Sequence, residues 1–198
     1  MNKLIVSIAL VIGLVGVSQA GSKTDIETPA FDKAIAQQMI QASIQRFEIA
    51  TRPGLRDARG EHVARQIRSF LQLPVERVRS RDVYRVEGDL ATDEPERIVR
   101  ELTDPILQVG ALNRVTDEPA DAVITVGFKP GVADPIGRSA KLAIEDTLGR
   151  KLGEQATVFS SVMYLLDGIS NDDAERVALE LIGNPVIHEI EVMTGGQL

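Results

Sequence analysis

The chain has no cysteine and no tryptophan, and only two tyrosines, five phenylalanines and two histidines among its 198 residues. Without cysteine there is no disulfide, no thiolate metal site and no cysteine nucleophile. Aromatic residues make up 4% of the chain, too few for a base-stacking surface, and the net charge of −7 argues against a general nucleic-acid binder. Lysine is missing from residues 44–116, where all 13 cations are arginine against 12 acids, while residues 121–193 hold 6 cations against 12 acids. Two such unequal surfaces suit either distinct partners or two differently solvated faces. Hydrophobic residues at 43% and charged residues at 26% describe a globular chain long enough for one ordinary domain or two small ones.

The longest apolar run, Leu4 to Val17, follows Lys3 and precedes Ser18-Gln19-Ala20. It is shorter than the roughly 20 residues of a membrane span, and the small residues at 18 and 20 fit a signal-peptidase site. Residues 1–20 therefore read as a secretory leader, with an uncleaved anchor as the rival. Residues 21–43 read as a polar linker and a short amphipathic helix, capped at Thr28-Pro29 with Phe31, Ile35 and Met39 on one side.

The rest of the chain repeats itself. Arg52-Pro53-Gly54-Leu55-Arg56-Asp57-Ala58-Arg59-Gly60 returns as Lys129-Pro130-Gly131-Val132-Ala133-Asp134-Pro135-Ile136-Gly137. Each copy follows an apolar run and precedes a helical pattern, which predicts strand, tight turn and helix start. Pro53 and Pro130 preset φ, Gly54 and Gly131 admit a positive φ, and Asp57 and Asp134 suit the N-cap. The helical stripes are Val63, Ile67, Phe70 and Leu71, then Ile136, Ala140, Ile144 and Leu148. Val75–Val78 and Val83–Gly88 recur as Ala156–Phe159 and Val162–Gly168, matching Tyr84 to Tyr164, and each pair reads as a hairpin or one bent strand. Glu96-Arg97 and Glu101-Leu102 match Glu175-Arg176 and Glu180-Leu181 on a second helix. Asp104-Pro105-Ile106-Leu107 matches Asn184-Pro185-Val186-Ile187 before a closing strand.

The order within each copy is β-α-β-β-α-β. The fold class is α+β: two tandem ferredoxin-like units with antiparallel sheets, over residues 44–115 and 121–193, joined by the linker 116–120. A tandem copy can cover the edge or face that a homodimer partner otherwise covers.

Candidate chemistry is sparse. Arg52 and Lys129 stand before capped helix starts, where an anion could bind, but the capping carboxylates already occupy the N–H groups. His62 reads as solvated, and His188 as a polar residue at a partly buried seam matching Gln108. The acidic clusters Asp93-Glu94-Glu96 and Asp172-Asp173-Glu175 suit helix starts. No nucleophile–base arrangement, glycine-rich phosphate loop or zinc spacing appears. Arg52, Gly54, Asp57, Gly60, Tyr84, Lys129, Gly131, Asp134, Gly137 and Tyr164 are therefore expected to serve structural turns and a partner interface, with no catalytic, cofactor or metal residue.

Three stretches carry a family resemblance: Val126-Gly127-Phe128-Lys129-Pro130-Gly131-Val132 with Asp134-Pro135-Ile136-Gly137-Arg138, Arg81-Asp82-Val83-Tyr84-Arg85-Val86-Glu87-Gly88-Asp89-Leu90, and Asn184-Pro185-Val186-Ile187. Over residues 44–193, about three-quarters of the chain, the sequence resembles the PurS family. The likeness is closer still to the tandem PurS-like segment at the N-terminus of some long forms of phosphoribosylformylglycinamidine synthase (formylglycinamide ribonucleotide amidotransferase). The resemblance implies a non-catalytic assembly role in purine biosynthesis, bridging the synthetase and glutaminase components of an ATP- and glutamine-dependent ligase. ATP and magnesium then belong to the synthetase partner. That role is cytoplasmic, whereas the leader predicts export. An exported adaptor or small-ligand-binding protein with the same duplicated fold is the alternative.

Overall fold

The computed structural model describes residues 44–115 and 119–195; the leader and the helix expected within 21–43 lie outside the described residues. The elements run β1 (Ile44–Thr51), α1 (Ala58–Gln66, continued by a π-helical turn Ile67–Leu71), β2 (Arg77–Glu87), α2 (Glu94–Leu102) and β3 (Gln108–Leu112). The second half follows with β4 (Ala122–Phe128), α3 (Pro135–Leu148), β5 (Thr157–Asp167), α4 (Asn171–Val177, continued by a π-helical turn Ala178–Ile182) and β6 (His188–Thr194). The class is α+β, with one six-stranded antiparallel sheet in the order β3-β1-β2-β5-β4-β6.

The structure differs from the expected order at one place in each half. Of the two readings of each segment pair, a hairpin or one bent strand, the structure shows the second, a single 11-residue strand. Ser80, Asp82, Ser160 and Ser161 are compatible with a turn, but the pairing of β2 with β5 along its whole length holds each strand straight. Each half thus supplies three strands. The freed length of β2 pairs with β5 over eleven rungs, from Arg77↔Asp167 to Glu87↔Thr157.

The pairing registers recur. Phe47↔Tyr84 in the first half becomes Ile124↔Tyr164 in the second, and Ile49↔Gly110 becomes Val126↔Ile190. The shift is 77 residues for the first strand and 80 for the other two, the same offsets as the sequence motifs.

All four described helices lie on one face of the sheet, and they are crossed between the halves. Val63, Ala64 and Ile67 of α1 pack with Ala174, Val177 and Ala178 of α4, over Ala122, Ile124 and Leu166 of the second-half strands. Ile98 of α2 packs with Ala140, Ile144 and Leu148 of α3, over Phe47, Val86 and Val158. Each core therefore draws on both halves. Arg150 reinforces the second contact from the end of α3, donating to the Glu94 carboxylate at 2.5 and 2.6 Å and to the Asp89 carbonyl at 2.9 Å. The Arg150 hydrogen bond holds the Glu94 carboxyl below its ordinary pKa.

Two residues of the expected helical stripes are outside the core. Phe70 is 72% exposed, because the wider π turn shifts it off the face that Val63 and Ile67 bury. Ile136 is 54% exposed and overlooks a cleft between the helix pairs.

The opposite face of the sheet carries the β2 arginines. Arg81 and Arg46 bind Glu48 at 2.8 and 2.7 Å, and Arg77 and Arg79 share Asp167 at 2.8 and 2.7 Å. Beside them Val83, Val123, Met163 and Leu165 form an apolar patch. The connection from β3 to β4 touches this face, with the Val115 N–H donating to Glu48 and the Pro119 carbonyl accepting from Arg79.

Equivalent positions exchange bulk between the halves. In the first, Gly110 is required because a Cβ there meets Thr103 Oγ1 at 2.1 Å, Ile49 Cδ1 at 2.8 Å and Val99 Cγ1 at 3.2 Å. In the second, Gly110 is matched by Ile190, whose Cδ1 occupies the space over Gly183, the counterpart of Thr103. Ile49 and Val99 are correspondingly matched by the smaller Val126 and Ala178. Gly110→Ile should cost about 1–3 kcal/mol through overpacking. Adding Ile49→Val, Val99→Ala and Thr103→Gly should recover most of that loss in urea unfolding. A chain in which the three additions only destabilise further contradicts the exchange.

A cleft over the central seam as the candidate functional site

The repeated Pro-Gly motifs build two equivalent corners. Gly54 and Gly131 take φ of +87° and +88°, and the N–H groups of Leu55 and Val132 close each turn on the carbonyls of Arg52 and Lys129 at 3.0 Å. Arg52 donates to the Pro105 carbonyl at 2.7 Å, and Lys129 donates to the equivalent Pro185 carbonyl. Both cations thus tie the turn to the loop before the closing strand.

Asp57 and Asp134 cap their helices through the N–H groups of Gly60 and Gly137, at 2.8 and 2.7 Å. Each carboxylate also accepts from the backbone N–H and the hydroxyl of a serine on the long strand of its own half, Ser80 for Asp57 and Ser160 for Asp134. The helix start is thereby fastened to the sheet. Gly60 and Gly137 permit the approach, since a Cβ at either would meet the carbonyl oxygen of Val78 or Val158 at 2.3 or 2.4 Å. With a carboxylate seated on these N–H groups, neither helix start offers an anion site.

Tyr84 and Tyr164 are not at the turns. They stand over the β2–β5 seam, on the helix side, and help line a cleft of about 200 Å³ with Asp82, Phe128, Ile136, Ser160, Val162 and His188. Arg59 grips Asp82 through two bonds of 2.6 and 2.7 Å. Burial raises the pKa of both phenols, and the nearby Asp82 carboxylate raises it further, against the opposing pull of Arg59. Among the described residues neither phenol hydroxyl has a hydrogen-bond partner. The cleft presents neutral phenol donors and an ion-paired carboxylate above an apolar floor.

The chain matches no family model, and a search of curated proteins returns no match. Geometry is therefore the guide to this site.

His188 is half-buried, its Nδ1 accepting from the Asn184 N–H at 3.1 Å and its ring edge-on to Phe128 at 5.4 Å. Its counterpart Gln108 accepts from the Asp104 N–H at 2.9 Å, so the two side chains hold the same turn by different chemistry. His62 is exposed. No group of three or more histidine and acidic residues that could hold a metal occurs among the described residues, and no described helix is long and apolar enough to cross a membrane.

Sequence reasoning missed Ser80 and Ser160, although their 80-residue spacing equals that of the tyrosines. It also missed Arg59 and Asp82. Their counterparts are Ile136 and Val162, so repetition gives no signal there.

The raised phenol pKa values have a consequence at alkaline pH. The stability they confer is complete below the unfolded value, about 10, and is lost as pH rises through the higher folded values. Tyr84→Phe and Tyr164→Phe together should flatten the fall in unfolding midpoint between about pH 9 and 11, about one unit either side of that value. An unchanged alkaline limb places the titrating groups elsewhere.

Proposed function

We propose that this chain is a non-catalytic assembly module of the PurS kind, bridging the synthetase and glutaminase components of phosphoribosylformylglycinamidine synthase. Its two halves are duplicated ferredoxin-like units, with the second and third strands of each fused into one. The observation that carries the reading is the fate of the residues in the repeated turn motif. Arg52, Asp57, Gly60, Lys129, Asp134 and Gly137 are spent on turns, caps and close helix–strand approach. What the molecule offers outward is shape: the sheet edges β3 and β6, each preceded by an exposed aliphatic tip. Ile106 and Leu107 are 76% and 55% exposed, and Val186 and Ile187 are 78% and 38% exposed. Open edges beside apolar tips suit protein contacts.

A second reading, a small-ligand-binding or exported adaptor, draws support from the unengaged phenols of the central cleft. In that reading Gly21 is the mature N-terminus, found outside the cytoplasm.

Mixing the purified chain with a synthetase and a glutaminase component should yield a complex of all three on size-exclusion chromatography, and should raise glutamine-dependent amidine formation. Ile106→Asp with Val186→Asp should weaken the complex at least tenfold while leaving the unfolding midpoint unchanged. A chain that elutes apart from both components, with no effect on turnover, overturns the assembly role.

A further inference from the structure

The β2–β5 seam lies on a local two-fold axis. Ser80↔Tyr164 is mirrored by Tyr84↔Ser160, Val78↔Leu166 by Val86↔Val158, and the rung Asp82↔Val162 maps onto itself. The backbone arrangement is therefore one that two identical halves could also adopt. The side chains are not symmetric. Asp82 faces Val162, Arg79 faces Leu165, and Arg85 faces Phe159, with its guanidinium 4.7 Å from the ring centroid.

Pairing β2 with a second β2 in this register would set Asp82 against Asp82 on the axis. It would also set Arg79 against Arg85 twice, giving three like-charged rungs out of eleven against two Arg77–Glu87 rungs of opposite charge at the ends. Like charges directly opposite one another in an antiparallel pair are destabilising. A second β5 paired with β5 would meet no such conflict, since Val162 would face Val162 and Phe159 would face Leu165.

We propose that the first half is an obligate heterologous partner. Its seam strand accepts a strand of the second-half type, with an uncharged residue on the axis and apolar residues opposite Arg79 and Arg85, and it rejects another copy of itself. The occupant of that surface is the chain's own second half. Specificity here comes from a repulsive element as much as from an attractive one. The inference rests on the pairing registers, independently of the assembly role proposed above.

The test keeps the full chain. Ile136→Arg, Phe159→Arg, Val162→Asp and Leu165→Arg together give the second half the first half's seam residues. A second variant adds the reciprocal changes Arg59→Ile, Arg79→Phe, Asp82→Val and Arg85→Leu, so that every introduced residue again faces its unlike partner. The four-fold variant should lose at least about 5 °C in Tm, a shift typical of one to two kcal/mol in a chain of this size. The eight-fold exchange should regain at least half of that loss. Should the four-fold variant not fold at all, a cooperative transition in the eight-fold exchange still supports the proposal. A four-fold variant with the parent Tm overturns it, and so does an eight-fold exchange no more stable than the four-fold variant.

Discussion

Everything in this molecule depends on the eleven-rung pairing of β2 with β5. It joins two three-stranded sheets into one and fixes where each half's helices fall. Because the helices cross, α1 completes a core whose sheet side comes mostly from the second half, and α3 completes one shared with Phe47, Val86 and Ile98. A fully buried isoleucine such as Ile98 or Ile144 contributes roughly 1.5–3 kcal/mol relative to exposure. Separation of the halves therefore exposes both cores, which is why the two halves make one compact unit.

The two halves share a backbone plan but not a set of side chains, and the differences are compensated. Thr103 with Gly110 answers Gly183 with Ile190, filling the same space from opposite sides. Arg59 with Asp82 answers Ile136 with Val162, so an ion pair and an apolar pair meet on the axis. What is held constant is the fastening of helix to sheet. Asp57 and Asp134 each accept from a glycine N–H, a strand N–H and a serine hydroxyl, and each cap of this type adds about 0.5–2 kcal/mol.

Much of this was legible in the residues. The motif repeated at a 77-residue offset located both turns, both caps and both first helices, because Pro-Gly and Asp-x-x-Gly have narrow backbone requirements. The tyrosines and the final Pro-aliphatic loops were matched correctly as well. The strand count was not legible. Val75–Val78 and Val83–Gly88 carry the same alternation whether folded back or run straight, and only the demand of β5 for a long partner decides it. The crossed helix packing was also invisible, since an apolar stripe does not say which half supplies its partner. Nor did the stripe reveal the π turn that carries Phe70 outward. The candidate site was half legible. Tyr84 and Tyr164 stood out by repetition, whereas Arg59 and Asp82 became visible only when the seam brought both halves to one cleft.

Native-state hydrogen exchange in rising denaturant measures the interdependence of the halves most directly. If both cores exist only as shared structures, the slowest amides of β1, β2, β4 and β5 will converge on a single isotherm and exchange through one global opening. Slow amides of residues 44–112 that open in a separate unfolding step, while those of 122–194 stay protected, would contradict the account.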